Sequence, residues 1–107
     1  VRETIDSVLR QTMRDWELVF WDNRSRDGTA AIVKSYDDPR IRYLLSDSDD
    51  TLGKARSRAL AVATGRWVAF LDSDDIWHPD FLERQLAVLE QTGASLVYSN
   101  AISFYPD

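Results

Sequence analysis

Three aspartates, Asp72, Asp74 and Asp75, stand within four residues, directly after the apolar run "RWVAFL" and before "IWHPD". Like charges this close disfavour one another's ionisation unless water or a cation relieves them. A solvated surface loop would do so without any function. The alternative is a site for a hard divalent cation. Asp-x-Asp offers carboxylate oxygens alone, which suits Mg2+ or Mn2+ and leaves positions open for water and phosphate oxygens. A cation held in that way can clamp a diphosphate and stabilise the charge that develops as it leaves. A further acid, Asp22, closes the apolar run "WELVFWD" in the same manner. What separates the two interpretations is where the acids sit in the fold.

The elements that must position them follow from apolar periodicity. Val1, Ile5, Val8 and Leu9 share one helical face, so the chain opens in a helix. "WELVFWD" (16–22) is nearly continuous in apolar character, as for a strand covered on both faces. In "RSRDGT" Asp27 or Ser25 can cap a following helix whose apolar side is Ala31, Ile32, Val33 and Tyr36. "DDPR" breaks that helix, and "IRYLL" (41–45) is a short strand. The polar stretch "SDSDDTLG" leads into a helix bearing Ala55, Ala59, Val62 and Ala63, which Gly65 ends. "RWVAFLD" (66–72) is another strand of the buried type. Pro79 suits the first turn of a helix striped by Leu82, Leu86 and Leu89 and closed by Gly93. "ASLVYSN" (94–100) is a last strand, and strand-like apolar character continues through "ISFYPD". The order α-β-α-β-α-β-α-β predicts an α/β fold, a Rossmann-like and mostly parallel sheet with helices on both faces. The carboxyl ends of parallel strands share one edge, and ligands bind in the crevice outside it. Asp22, Asp72 and Asp74 are therefore expected to converge on one site.

Composition narrows the function classes. The 107 residues are 44% apolar and 29% charged, as in a soluble globular domain. A formal net charge of -5, with no Lys/Arg-rich block, argues against a nucleic-acid partner. The absence of cysteine excludes disulfides, thiolate metal ligands and a cysteine nucleophile, and suits the cytoplasm. No run is long enough to span a membrane and no signal peptide is visible. The first helix begins without capping residues and the last apolar run ends in mid-pattern. The chain thus reads as a single partial domain, residues 1–107, of a longer protein. Spacing excludes two rival motifs. An EF-hand counted from Asp72 would put Trp77 where glycine is needed, and "GKAR" lacks the upstream glycine and the Ser/Thr of a P-loop. "FLDSDDI" offers a haloacid dehalogenase-like phosphotransferase its Asp-x-Asp after an apolar strand, although Ile76 stands where Thr or Val is usual.

Taken together, the motifs resemble the inverting family 2 glycosyltransferases of the GT-A fold. "SVLRQT" (7–12) is similar to that family's S-[VIL]-L-x-Q-T helix end, and "WDNRSRDGT" (21–29) to V-D-[DN]-x-S-x-D-G-T. "DPRIRYL" and "KARSRALAVATGRWVAFLDSDD" follow the family's next segments in order, and "DIWHPDFLERQ" continues them. The resemblance implies a partial GT-A fold forming the nucleotide-sugar-binding half of the enzyme. It would take part in moving a sugar from a nucleoside-diphosphate donor to an acceptor hydroxyl with Mn2+ or Mg2+. It implies that Asp22 and Asn23 contact the base or ribose, that Asp72 lies near the ribose or bridges to the metal, and that Asp74 is the principal metal ligand. Arg56 corresponds to an arginine near the nucleotide. Ser57, Ala59 and Arg24 depart from the more usual Asn, Gly and Gly. The catalytic base is expected beyond residue 107, and a first strand before Val1. A non-catalytic nucleotide-binding module is the alternative from another class.

The remaining candidates have structural explanations beside functional ones. Trp77 and Pro79 are expected to shape the turn beneath the site, and Trp16, Trp21 and Trp67 to lie in the core. His78 is expected in a loop and Asp27 at a helix cap. Asp47, Asp49 and Asp50 are expected in a solvated loop. Arg56 is either a phosphate contact or the ion-pair partner of a site aspartate. The isolated segment is expected to self-associate through an exposed sheet edge, and the parent protein to work in the cytoplasm or at the membrane face.

Overall fold

Two strands pair in parallel, β1 (Leu18–Asp22) with β2 (Ile41–Leu45), in a register that sets Leu18 opposite Ile41 and Asp22 opposite Leu45. The computed structural model describes residues 1–101 and 103. Among them are the helices α1 (Arg2–Leu9), α2 (Thr29–Lys34), α3 (Leu52–Val62) and α4 (Phe81–Thr92). A parallel pair needs a crossover connection, and α2 supplies it, packing on β2 while α3 packs on β1 and α1 on α2. Ile5 and Val8, adjacent on one helical face of α1, are buried, as is Val33 of α2. The Thr51 hydroxyl accepts the Lys54 N–H at the start of α3. Gly93 ends α4 in the left-handed conformation, with φ 68° and its N–H on the Leu89 carbonyl.

Polar side chains fix the entry into both strands. Asp38 accepts from the backbone N–H, Nε and Nη2 of Arg40. The Arg40 guanidinium also donates to the Arg14 carbonyl and lies 3.8 Å over the Trp16 ring. The Arg40 carbonyl then accepts the Leu18 N–H at 2.8 Å, so this one turn starts β2 and aligns β1 beside it. Glu17 accepts the Thr64 N–H at 2.6 Å and pairs with Arg42 at 3.3 Å, which ties the start of β1 to the chain leaving α3.

The mixed α/β fold, with helices flanking a parallel sheet, is as expected from sequence. Two of its expected strands are not formed. The described residues run α-β-α-β-α-α, and neither 66–72 nor 94–100 is a strand. A strand is made by pairing as much as by its own pattern. Residues 66–71 and 94–100 make no backbone–backbone hydrogen bond among the described residues. Their apolar side chains are left outside: Trp67 and Val68 are exposed and Phe70 is 58% exposed, so Trp67 is not a core residue. Trp16 and Trp21 are half-buried. The strand-like character of "ISFYPD" falls at Ile102 and 104–107 outside the described residues.

These braces make stability sensitive to acid. The Arg40 side chain, and then its backbone N–H, hold the Asp38 carboxyl at about 2. The Thr64 N–H holds Glu17 below its usual 4.5. Folded values lower than unfolded ones give a stabilisation that is complete above the unfolded values and lost as pH falls through the folded ones. Stability should therefore decline from pH 4.5 toward about 2. Arg40→Gln should make that decline shallower below pH 3.8, the ordinary value for Asp38. Denaturant midpoints measured across this range check it, and an unchanged slope in Arg40→Gln would contradict the brace.

Candidate functional site

The first functional side chain sits where β1 ends. Asp22 is 2% exposed, and its two oxygens have different partners. Oδ1 accepts the Ser25 N–H at 2.7 Å, and Oδ2 accepts the Tyr43 hydroxyl of β2 at 2.6 Å. Between Asp22 and Ser25 the chain doubles back through Arg24, whose φ of 64° lies in the left-handed region that a side chain other than glycine seldom occupies. This turn aims the Ser25 N–H at Asp22. Burial acts to raise the Asp22 carboxyl, but the bonds from Ser25 and Tyr43 together outweigh it and hold the group below its usual value of 3.8. In return the Asp22 hydrogen bond, with burial, pushes the Tyr43 hydroxyl up to about 12. Asp22 is therefore ionised at neutral pH. Asp27 accepts the Thr29 N–H at 3.0 Å and the Thr29 hydroxyl, but it stands one residue before the cap of α2, which is Gly28, so it braces the turn into that helix and is not its N-cap.

Asn23 uses both ends of its amide on the backbone of one residue. Its Nδ2 donates to the Asp50 carbonyl at 2.6 Å, and its Oδ1 accepts the Asp50 N–H at 2.9 Å. The Asp50 side chain is 1% exposed, 3.2 Å from Arg58 Nε and 3.6 Å from Lys54 Nζ, and it accepts from the Ser46 and Ser48 hydroxyls. The expectation of a solvated acidic loop at 47–50 thus fails at Asp50. That carboxylate is the buried knot joining the loop to α3, because two cations and two hydroxyls replace its water. Asp47 is exposed and pairs with Arg58, and Asp49 is exposed.

Asp22, Asn23, Ser25, Asp27 and Thr29 line a cleft of about 280 Å³ together with Val1, Phe20, Trp21 and Ser73. Ser73 is the residue between Asp72 and Asp74, so this cleft brings the end of β1 against the acid loop. On that loop Asp72, Asp74 and Asp75 are exposed, and each offers an oxygen within 4.8 Å of the other two. The spacing fits one divalent cation held by carboxylates, with Asp75 added to the Asp72 and Asp74 of the sequence motif. Asp22 is not a member of that trio. Arg56 Nη2 lies 2.9 Å from Asp72 Oδ1, the ion-pair alternative of the two open for it, and its guanidinium sits 5.6 Å from the centre of the Phe70 ring. A hollow of about 300 Å³ formed by Met13, Glu83, Leu86, Ala87 and Glu90 contains none of these acids.

Sequence reasoning missed what holds the acid loop. Thr4, Ser7 and Gln11 are buried on α1 and just beyond it. The Thr4 hydroxyl donates to the Ser73 carbonyl at 2.8 Å, and Ser7 Oγ accepts the Trp77 N–H at 3.2 Å. Gln11 Nε2 donates to the His78 carbonyl at 2.7 Å, and Gln11 Oε1 accepts the Leu82 N–H at 3.0 Å. The available signal was three polar residues at helical spacing on an otherwise apolar flank. Trp77 stacks on Phe81 at 4.6 Å beneath the loop, as expected for a residue that shapes the turn. His78 is exposed beside Asp80.

Comparison with known proteins shows the family of the chain. A family model described as "Glycosyl transferase family 2" matches residues 1–107. The chain is 40% identical over 100 residues to the Escherichia coli "UDP-Glc:alpha-D-GlcNAc-diphosphoundecaprenol beta-1,3-glucosyltransferase WfgD", covering 94% of this chain and 40% of that protein. It is 38% identical over 101 residues to TuaG of Bacillus subtilis, a protein named for teichuronic acid biosynthesis, covering 92% and 40%. It is 35% identical over 97 residues to the Escherichia coli "UDP-Glc:alpha-D-GlcNAc-diphosphoundecaprenol beta-1,3-glucosyltransferase WfaP", covering 91% and 39%. The chain thus spans about 40% of the length of these relatives. It belongs to glycosyl transferase family 2.

Tyr43→Phe removes one of the two hydrogen bonds that hold Asp22 ionised. The Asp22 carboxyl should then titrate at higher pH, as followed by its carboxyl-carbon NMR shift. The fold should lose about 1.5–3 kcal/mol at neutral pH, the usual worth of a hydrogen bond to a charged group. Because Asp22 is depressed in the fold, the difference from wild type should persist above pH 3.8 and fade as pH falls through the folded value. An unmoved Asp22 titration would contradict the coupling.

Proposed function

We propose that the protein is an inverting glycosyltransferase and that residues 1–107 form the donor-binding part of its catalytic domain. The observation that carries this proposal is the acid trio. Three carboxylates mutually within 4.8 Å flank Ser73, at a cleft that also contains a buried, ionised aspartate. Asp22 would receive the base or ribose. Each of its oxygens accepts one protein hydrogen bond, and a carboxylate has about four acceptor sites in all, so it retains capacity for a ligand N–H or O–H. Asn23 keeps one amide hydrogen and one lone pair for the base after its bonds to Asp50. Arg56 has donors beyond the one placed on Asp72 and can meet a phosphate oxygen while keeping that pair. Asp72 and Asp74, with Asp75 beside them, would hold Mn2+ or Mg2+, which supplies charge stabilisation to the departing diphosphate.

Transfer with inversion is a single in-line displacement. The acceptor oxygen bonds to the anomeric carbon as the bond to the nucleoside diphosphate breaks, and the hydroxyl proton passes to a carboxylate base. No residue of 1–107 is assigned as that base. The names of two relatives, WfgD and WfaP, support UDP-glucose or a close UDP-sugar as donor and a lipid-diphosphate-linked sugar as acceptor. An acceptor of that kind would put the reaction at the cytoplasmic face of a membrane. Among the described residues no helix is long and apolar enough to cross one. The exposed Trp67, Val68 and Phe70 support self-association of the isolated segment.

Asp74→Ala in the full-length protein should abolish the Mn2+-dependent part of UDP binding while leaving the melting temperature nearly unchanged. The carboxylate is exposed, contributes little to packing, and repels its neighbours when no cation is bound. Calorimetry of UDP binding with and without Mn2+ checks this. Equal Mn2+-dependent affinity in variant and wild type would remove Asp74 from the site, and a large drop in melting temperature would make its role structural.

A further inference from the structure

We infer that Thr4, Ser7 and Gln11 are positioning residues for the cation site, acting through the backbone of the acid loop; the inference rests on the cation site proposed above. Between the end of α3 at Val62 and the start of α4 at Phe81 the chain forms no helix and no strand. The loop nevertheless has to hold three carboxylates close together against their mutual repulsion. Its own bonds do little to fix it. The Asp75 N–H meets the Asp72 carbonyl at 3.1 Å, and the Arg56–Asp72 pair is solvent-exposed and correspondingly weak.

The bonds to α1 are of another kind. They tie residues 73, 77, 78 and 82 to residues 4, 7 and 11, so they bracket Asp74 and Asp75 and hold the chain directly after Asp72. Thr4 grips the carbonyl of Ser73, between the two aspartates of the motif. The Ser7 hydroxyl donates to the Thr4 carbonyl at 2.7 Å while it accepts the Trp77 N–H, so its orientation is set from both ends. Gln11 is 1% exposed, and its amide is engaged at the Ser7 carbonyl, the His78 carbonyl and the Leu82 N–H. The Thr12 N–H adds a bond to the Pro79 carbonyl at 2.8 Å. A buried amide with both ends used inside the protein has no role left at the surface. Its effect is to fix the loop backbone; partners bonded directly to metal ligands are commonly worth about 10- to 100-fold in metal affinity, and the lower end is expected for bonds made to neighbouring residues.

The test uses the full-length protein and Mn2+ alone, with bound ion measured by electron paramagnetic resonance and folding by thermal melting. Thr4→Val keeps the shape of the side chain and removes only the donor to Ser73. Gln11→Glu keeps the size and removes the donor to Ser7 and His78. Both are expected to weaken Mn2+ binding about tenfold, with Thr4→Val melting close to wild type. If Gln11→Glu fails to fold, Thr4→Val carries the test alone. Wild-type Mn2+ affinity in a folded Thr4→Val, or in folded protein of both variants, would overturn the inference. Asp74→Ala separates the two levels. If wild type binds no Mn2+, or Asp74→Ala binds it equally, the cation site itself is wrong. If only Asp74→Ala loses the ion, the site stands and the positioning role falls.

Discussion

The acid loop depends on α1 for its place in the fold. It has neither the sheet nor a helix of its own to lean on, and the three carboxylates it presents repel one another. A flank of α1 that carries Thr4, Ser7 and Gln11 in place of apolar side chains converts a helix into a rack for backbone hydrogen bonds. These bonds are part-buried, with their side-chain ends on buried residues of the helix flank, so the loop is held at specific points. An apolar flank could have buried as much surface, but it would have left the loop free to slide. Thr12 extends the same contact, with its N–H on Pro79 and its hydroxyl on Glu83 at the start of α4.

Two buried aspartates on either side of Asn23 show how surroundings divide structure from function. Asp50 is compensated by Lys54 and Arg58 and by two hydroxyls, so its charge is spent within the protein. Among the described residues Asp22 has no cation on it, only the neutral donors Ser25 and Tyr43. It therefore faces its cleft as an anion with acceptor capacity remaining. Asn23 links the two by pinning the Asp50 backbone beside the mouth of that cleft. The left-handed Arg24 is part of the same arrangement, because the Asp22–Ser25 turn requires the chain to reverse there.

The parts of this structure legible in the sequence are those set by each segment's own pattern. Both formed strands, the presence of each described helix and the placement of Asp22 at the end of β1 follow from apolar periodicity. Helix ends follow less well, since α3 stops at Val62 with Ala63 already extended, short of Gly65, and Pro79 lies before the Asp80 cap of α4. The clustering of Asp72, Asp74 and Asp75 follows from their adjacency. Pairing was not legible: "RWVAFLD" has the composition of a buried strand, yet a ladder needs a neighbour, and the segment lies exposed without one. Burial of a charged residue was equally hidden. Asp50 looks like its neighbours Asp47 and Asp49 in a polar run, and only the approach of α3 distinguishes it. The choice for Arg56 was likewise one of geometry, and the chain places it on Asp72. Gln11 stood in a recognised motif, but a motif names a residue without naming its partner.

The most direct measurement of the central claim is anomalous diffraction at the manganese edge, from crystals of the full-length protein grown with Mn2+ and UDP. A manganese peak in direct coordination contact with carboxylate oxygens of Asp72 or Asp74 is expected. The Thr4–Ser73 and Gln11–His78 bonds are expected to be intact and the nucleotide to lie against Asp22. A peak on other residues, or nucleotide bound away from the cleft of Asp22 and Ser73, would contradict the claim.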